Sequence, residues 1–281
     1  MEDGVNGLYY HDGQGSYINA NLEAGDNSYR YAGANPNNYV CFGSDSGTCP
    51  NDNLYRIIGV FEDNVKLIKN TSIGDSNWDA DIVDFDNVSS MSKKVNKFNA
   101  VKLSEILAAP PITVGANNWE KSDLNYELNN SFLLKFDSYW QNAILSKQWN
   151  IGGIVTYDGY LLNTLSTYNE EIGSYSQNIK YNAKIGLMYV SDYGYSTLPE
   201  YWTKSSLNNK SSWIFLENSE WTITRYLSDN KSVFYANGPG ILGYVGDTLS
   251  EIAVRPVFYL NSEVVYSSGS GSSSDPIRIV V

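Results

Sequence analysis

Ile252-Ala253-Val254-Arg255-Pro256-Val257-Phe258-Tyr259-Leu260 is the strongest strand candidate in this chain. β-Branched and aromatic residues fill it, a composition that fits a pleated, half-buried surface. Pro256 has no N–H to give to a ladder, which places the run at an edge or a bulge. Two shorter β-like runs precede it, over 221–226 and 232–236, with turn residues between them. Earlier segments are expected to pack around this last quarter of the chain, residues 213–281.

Outward from that run, the next firm element is a hairpin. Residues 54–61 and 65–69 are apolar arms flanking the polar turn Glu62-Asp63-Asn64. In the second arm Val65 and Leu67, with Lys69, share one face, and Lys66 and Ile68 share the other. From 122 to 149, Leu124, Leu128, Phe132, Phe136, Trp140 and Ile144 recur every four residues, the stripe of an amphipathic helix. Ser122 is placed to cap it, and Asn129-Asn130 to break it in two. A shorter helix is expected over 101–109, ended by Pro110-Pro111. Residues 156–182 read as a long polar loop, 184–190 as a strand, and 191–195 as the turn after it. Residues 263–266 and 276–281 read as a last strand pair joined by a Ser/Gly loop.

These elements describe an α+β chain. A segment over 1–53, irregular or β and rich in Gly, Asn and Tyr, packs on a main domain over 54–281 with a helical insertion around 101–149. Charged residues are 18% of the chain, below the usual share of about a quarter. The 23 Tyr and 7 Trp that help fill the gap join apolar area to a polar handle, which suits a recognition surface. A net charge of −12 argues against nucleic acid, whose phosphates need clustered Lys and Arg. No apolar segment approaches the roughly 20 residues that span a bilayer, although membrane or wall anchoring upstream of Met1 is compatible with the sequence.

Cys41 and Cys49 enclose a seven-residue loop that closes readily into a disulfide, and the pair lacks the further ligands of a zinc site. Such a bond favours an oxidising, extracellular setting. Asp75, Asp79, Asp81, Asp84 and Asp86 make the best calcium candidate, because calcium takes several carboxylate oxygens from a flexible loop. They do not follow the EF-hand pattern, and a solvated acidic loop is the simpler reading. No cofactor is otherwise implied. The single histidine, His11, sits in the N-terminal segment, which leaves histidine-based nucleophilic catalysis without a site. A formal G-x-G-x-x-G over 238–243 contains Pro239 and opens no helix, so it is a chance match to the dinucleotide fingerprint. A carboxylate-based glycan hydrolase would draw on Glu170, Glu171, Asp192, Glu217, Glu220 and Asp247. The aromatics beside polar residues, Tyr193, Tyr195, Trp202, Trp213 and Tyr235 with Glu217 and Glu220, are the expected contacts for an extracellular glycan or protein ligand.

Three stretches carry a resemblance: LYRIIGVFEDNVKLIKN (54–70), AKIGLMYVSDYGY (183–195), and EWTITR leading through VRPVFYL to SGSGSSSDPIRI (220–279). Together they are similar to a family of surface proteins of Gram-positive gut bacteria, in which such domains often follow a signal or prepilin-like membrane segment. The closing pattern of a Trp strand, a glycine loop and a Val-Arg-Pro strand also resembles the C-type-lectin-like fold, shared by relatives of the formylglycine-generating enzyme. The resemblance implies a secreted or cell-surface adhesion or ligand-binding module without catalysis, or a pilin-like assembly subunit. The Glu-Pro-Asn and Trp-Asn-Asp patterns of lectin calcium sites are absent, and Cys41 and Cys49 lie too early to match the enzyme's late cysteines. No functional residue is carried over.

Overall fold

The run ending at Leu260 is two strands, and the chain changes sheet between them. The computed structural model describes residues 7–15, 17, 19–79, 117–155, 163–203, 212–237 and 241–281. In chain order its strands are β1 (Leu8–His11), β2 (Ser28–Tyr31), β3 (Tyr39–Cys41), β4 (Leu54–Phe61), β5 (Asn64–Lys69), β6 (Asp75–Ser76), β7 (Lys147–Asn150) and β8 (Lys180–Ala183). There follow β9 (Ile185–Gly186), β10 (Glu220–Arg225), β11 (Ser232–Asn237), β12 (Ile241–Asp247), β13 (Ile252–Ala253), β14 (Val257–Tyr259), β15 (Val265–Ser268) and β16 (Ile277–Val280). The α-helices are short: α1 (Asp123–Tyr126), α2 (Ser138–Ala143), α3 (Thr164–Glu171) and α4 (Val190–Tyr195). The fold is therefore strand-rich α+β with open sheets.

A nine-stranded sheet runs β15-β16-β3-β4-β5-β14-β9, with β2 also on β4 and β1 on β2. A five-stranded sheet runs β12-β11-β10-β13-β6, and β7-β8 forms a separate ribbon. β14 is internal: Val257, Phe258 and Tyr259 face Ile68, Leu67 and Lys66 of β5, with β9 on the other side. β13 pairs with β10 and β6 instead. Pro256 lies in the switch between the sheets, where no ladder asks for its missing N–H, while its carbonyl accepts from the Lys69 amide at 3.0 Å. An expected single strand over 252–260 is thus corrected to two, with the proline at the hand-over.

The hairpin has the expected arms. Glu62 and Asp63 have φ of 47° and 65°, both left-handed, as a two-residue turn matched to strand twist requires. β4 shares one edge between β3 (along 54–56) and β2 (along 59–60). A Cβ on Gly59 would strike the Tyr29 carbonyl, so glycine permits that approach. β5 is covered on both faces: Lys66, Leu67, Ile68 and Lys69 are all buried.

Ser122 does cap the helical region, its Oγ accepting from the Asn125 amide at 3.2 Å. The four-residue stripe is buried too, except that Phe136 is only partly so. A single long helix does not form. A π turn covers Glu127–Phe132, a 3-10 turn covers Leu133–Lys135, and Asp137 caps a fresh start for α2. The break falls later than the expected asparagines, at Phe136 and Asp137; Asn129 lies within the π turn and bonds both the N–H and the carbonyl of Ile185 in β9. Trp149 is a strand residue of β7. The expected helix over 101–109 lies outside the described residues.

Three further expectations are corrected. The loop over 156–182 contains α3 and ends in β8. The strand over 184–190 shrinks to β9, and its following turn is α4. Part of the expected glycine loop, from Ile241 on, is β12, where a Cβ on Gly246 would meet the Tyr235 ring. The final pair, β15 and β16, is present, and β16 also runs parallel to β3. The N-terminal segment therefore supplies three strands of the larger sheet.

The main core joins both sheets and the helical region. Phe258 is fully buried, its ring 4.8 Å from Phe42, 5.3 Å from Tyr55 and 6.5 Å from Phe136. All 7 tryptophans are buried. Most of them spend their indole N–H on a backbone carbonyl, as Trp78 does on Thr222, Trp149 on Ala183, Trp213 on Tyr31 and Trp221 on Ser76. The aromatic excess largely builds the interior rather than a display surface.

Candidate functional site

Charge is concentrated in the interior at two places. At the first, Lys66 of β5 meets Asp192 of α4, Nζ to Oδ2 at 2.5 Å, with both side chains 1% exposed. Arg30 of β2 lies 3.7 Å from Asp192 Oδ1 and bonds Asp26 at 2.5 Å. Burial opposes ionisation of Asp26, but Arg30 and the Ser28 hydroxyl and amide hold its pKa down at about 2. Glu171, the last residue of α3, accepts from the Val190 and Ser191 amides at 2.8 and 2.9 Å and from the Thr224 hydroxyl. Burial nevertheless pushes its pKa up to about 7. His11 is fully buried against Tyr195 and Trp202, and burial, helped by Arg30, lowers its pKa to about 3.

At the second place, Arg255 in the sheet switch pairs with Glu220 of β10, Nε to Oε2 at 2.5 Å, and donates to the Ile214 carbonyl. Near it, Arg56 lies between the rings of Tyr39 and Trp213, 4.1 and 4.5 Å from their centroids. It donates to the Asn38 side chain and to the Pro36 and Trp213 carbonyls. These groups fasten elements together. All of these charged groups but Asp26 are buried.

That finding relocates the expected ligand contacts. Tyr193, Tyr195, Trp202, Trp213 and Glu220 are buried, and a side chain without accessible surface cannot stack on an incoming molecule. Tyr193 packs on Phe215 beside the Glu220–Arg255 pair, and Tyr195 and Trp202 form a small aromatic cluster with Tyr168. Tyr and Trp serve core and surface equally well, so residue type alone does not place them. Glu217 is exposed and Tyr235 half-buried, so two of the seven face outward. Of the acids considered for hydrolysis, Glu171, Asp192 and Glu220 are committed to buried partners, Glu170 accepts from the Val155 amide, and Asp247 lies 3.9 Å from Lys231.

Tyr235 leads to a groove on the described surface. It has a volume of about 360 Å³ and is lined by Asp75, Asn218, Ser219, Tyr235, Glu251 and the edge of β13. Sheet topology builds it. β10 and β13 run parallel, so Ser219 and Glu251, one residue ahead of each, come to the same end of the sheet. Asp75 enters opposite Ala253 from the antiparallel β6. The Ala253 amide bonds the Ser219 carbonyl, and the Ser219 hydroxyl bonds Asn237 at 3.0 Å. Tyr235 is held by Gly246 against its ring and by Trp221 edge-on at 6.0 Å between centroids. Asp75, Asn218 and Glu251 are exposed. The result is a half-buried phenol beside carboxylates, an amide and a hydroxyl, a set that can bond hydroxyl or amine groups of a small polar ligand.

Of the five clustered aspartates, Asp75 lines this groove, Asp79 is buried next to the β6 edge, and Asp81, Asp84 and Asp86 lie outside the described residues. Among the described residues no three or more His, Cys, Asp or Glu gather as a metal site. Cys41 and Cys49 are disulfide-bonded. Arg278 of β16 braces the loop they close, donating to Ser44 and Gly47 carbonyls. No described helix is long and apolar enough to cross a membrane. Compared with family models, curated proteins and solved structures, the chain matches none.

Proposed function

We propose that this chain is a non-catalytic, extracellular ligand-binding module of C-type-lectin-like type, and that the Tyr235 groove takes a glycan. The observation that carries the reading is the groove itself: a half-buried aromatic ring beside a rim of hydrogen-bonding groups. A sugar offers the complement, an apolar C–H face for the ring and hydroxyls for Asp75, Asn218 and Glu251. A volume near 360 Å³ lies at the small end of ligand sites and suits one or two sugar units. A protein partner would ordinarily cover about 800 Å² of each surface. The disulfide supports an oxidising compartment.

A glycan array probed with the wild-type chain and with Tyr235→Ala tests this. Binding to a defined glycan set, weakened about tenfold or more by Tyr235→Ala and by Asp75→Asn, is the expected result. No binding anywhere on the array, or binding indifferent to both changes, would overturn it.

One observation favours assembly as a second reading. β15 lies at the end of the larger sheet with all four residues exposed, Val265 and Tyr266 among them. An exposed edge of that kind can add a strand from another chain. Sedimentation over a range of concentrations reports it directly: polymers that disappear with Tyr266→Lys would support a surface-assembly subunit.

A further inference from the structure

We infer that Lys66 and Asp192 become covalently joined, through an amide bond between Lys66 Nζ and Asp192 Cγ that the folded chain forms itself. The reacting groups are already in contact, Nζ to Oδ2 at 2.5 Å, and both are sealed from solvent. Their wall is aromatic: Phe61, Trp149, Tyr189 and Tyr259 have ring centroids 5.4, 5.8, 4.9 and 5.6 Å from Nζ. Held in such proximity, an amine and a carboxyl group react at a very high effective concentration. A dry enclosure also narrows the gap between the ion pair and the neutral amine and acid, which are the reactive forms. Burial accordingly pulls the Lys66 pKa down, against the opposing charge of Asp192.

The surroundings distinguish the two oxygens of Asp192. Oδ1 faces the Arg30 guanidinium at 3.7 Å, which stabilises negative charge as Nζ adds to Cγ. Oδ2 faces Nζ and accepts from the Tyr189 amide at 3.0 Å, and is the oxygen placed to leave. Glu171 accepts from the next two amides, Val190 and Ser191, so its carboxyl group sits at the same first turn of α4. The step balances without any co-reactant. One of the three ammonium protons stays on the amide nitrogen, two depart with Oδ2 as water, the Cγ–Oδ2 bond breaks and the Nζ–Cγ bond forms. The product ties β5 to α4 across 126 residues of sequence.

Intact-mass measurement on the whole chain, denatured and with its disulfide reduced, decides the matter. The expected mass is below that of the sequence by one water, and tryptic mapping should join the peptides bearing Lys66 and Asp192. Lys66→Arg and Asp192→Ala should each restore the full mass, a readout that does not require either variant to fold. A wild-type chain at full mass would refute the link, as would a water loss mapped to any other position.

Discussion

His11→Gln is expected to turn a level stability profile between pH 4.5 and 6.5 into one that rises as the solution is acidified. Two buried groups with opposite displacements set the wild-type behaviour. His11 has a folded pKa of about 3 against an ordinary 6.5. The unfolded chain takes up a proton there that the folded chain refuses, so its contribution is complete above pH 6.5 and is lost as pH falls toward 3. Glu171 has a folded pKa of about 7 against an ordinary 4.5. The folded chain keeps a proton that the unfolded chain releases, so this contribution is complete below pH 4.5 and is lost as pH rises through 7. At about 1.4 kcal/mol per pH unit, each changes stability by about 3 kcal/mol between pH 4.5 and 6.5, in opposite senses. The wild type should therefore be nearly level across that window. It should then weaken steeply below it, where His11 acts alone and Asp26, with a pKa of about 2, begins to lose its contribution below 3.8. Urea unfolding followed by the fluorescence of the buried tryptophans, at half-unit pH steps, measures both profiles. Subtracting one from the other isolates His11, and two parallel profiles would refute the assignment.

Phe258→Ala should cost about 3–5 kcal/mol, since it empties the space among Phe42, Tyr55 and Phe136, and a urea midpoint reads the loss. Paired Cys41→Ser and Cys49→Ser changes, or reduction, should lower stability by about 2–3 kcal/mol, the value of closing so short a loop. Gly186→Ala would bring a methyl group to 2.8 Å from the Trp149 ring and should cost about 1–3 kcal/mol, visible as a lower melting temperature. Glu220→Ala strands Arg255 in the core and should cost about 3–5 kcal/mol, whereas replacing both by Leu and Met should recover most of that in the same melting assay.

Much of this architecture is legible in the amino-acid order, where the signal is local. The hairpin at Glu62-Asp63, the Ser122 cap and the closing strand pair all follow from turn chemistry or periodicity over a few residues. The Cys41–Cys49 bond follows from loop length. Long-range partners decide the remainder. Ile252–Leu260 is equally apolar whether it stays in one sheet or crosses between two, and Arg255 chooses the crossing by reaching Glu220. α4 begins where Glu171, nineteen residues before Val190, accepts its first amides, a distant partner that adds to the local one, Asp192, which accepts from the Tyr189 amide. The groove was half visible. Asp75 and Tyr235 stood out as chemical types, but only strand pairing brings Asp75, Ser219, Tyr235 and Glu251 to one place.

The passage of Val254-Arg255-Pro256 from one sheet to the other has a mechanical result. A hinge between the sheets would need slack there, yet this short span is clamped at both faces: the Val254 amide to the Gly74 carbonyl, Arg255 to Glu220, and the Pro256 carbonyl to Lys69. Neither sheet can peel away while the other holds. Amide protons of Ala253 and Phe258 should then exchange with deuterium only when the whole molecule opens, at one shared rate, and the groove should keep its shape until that moment.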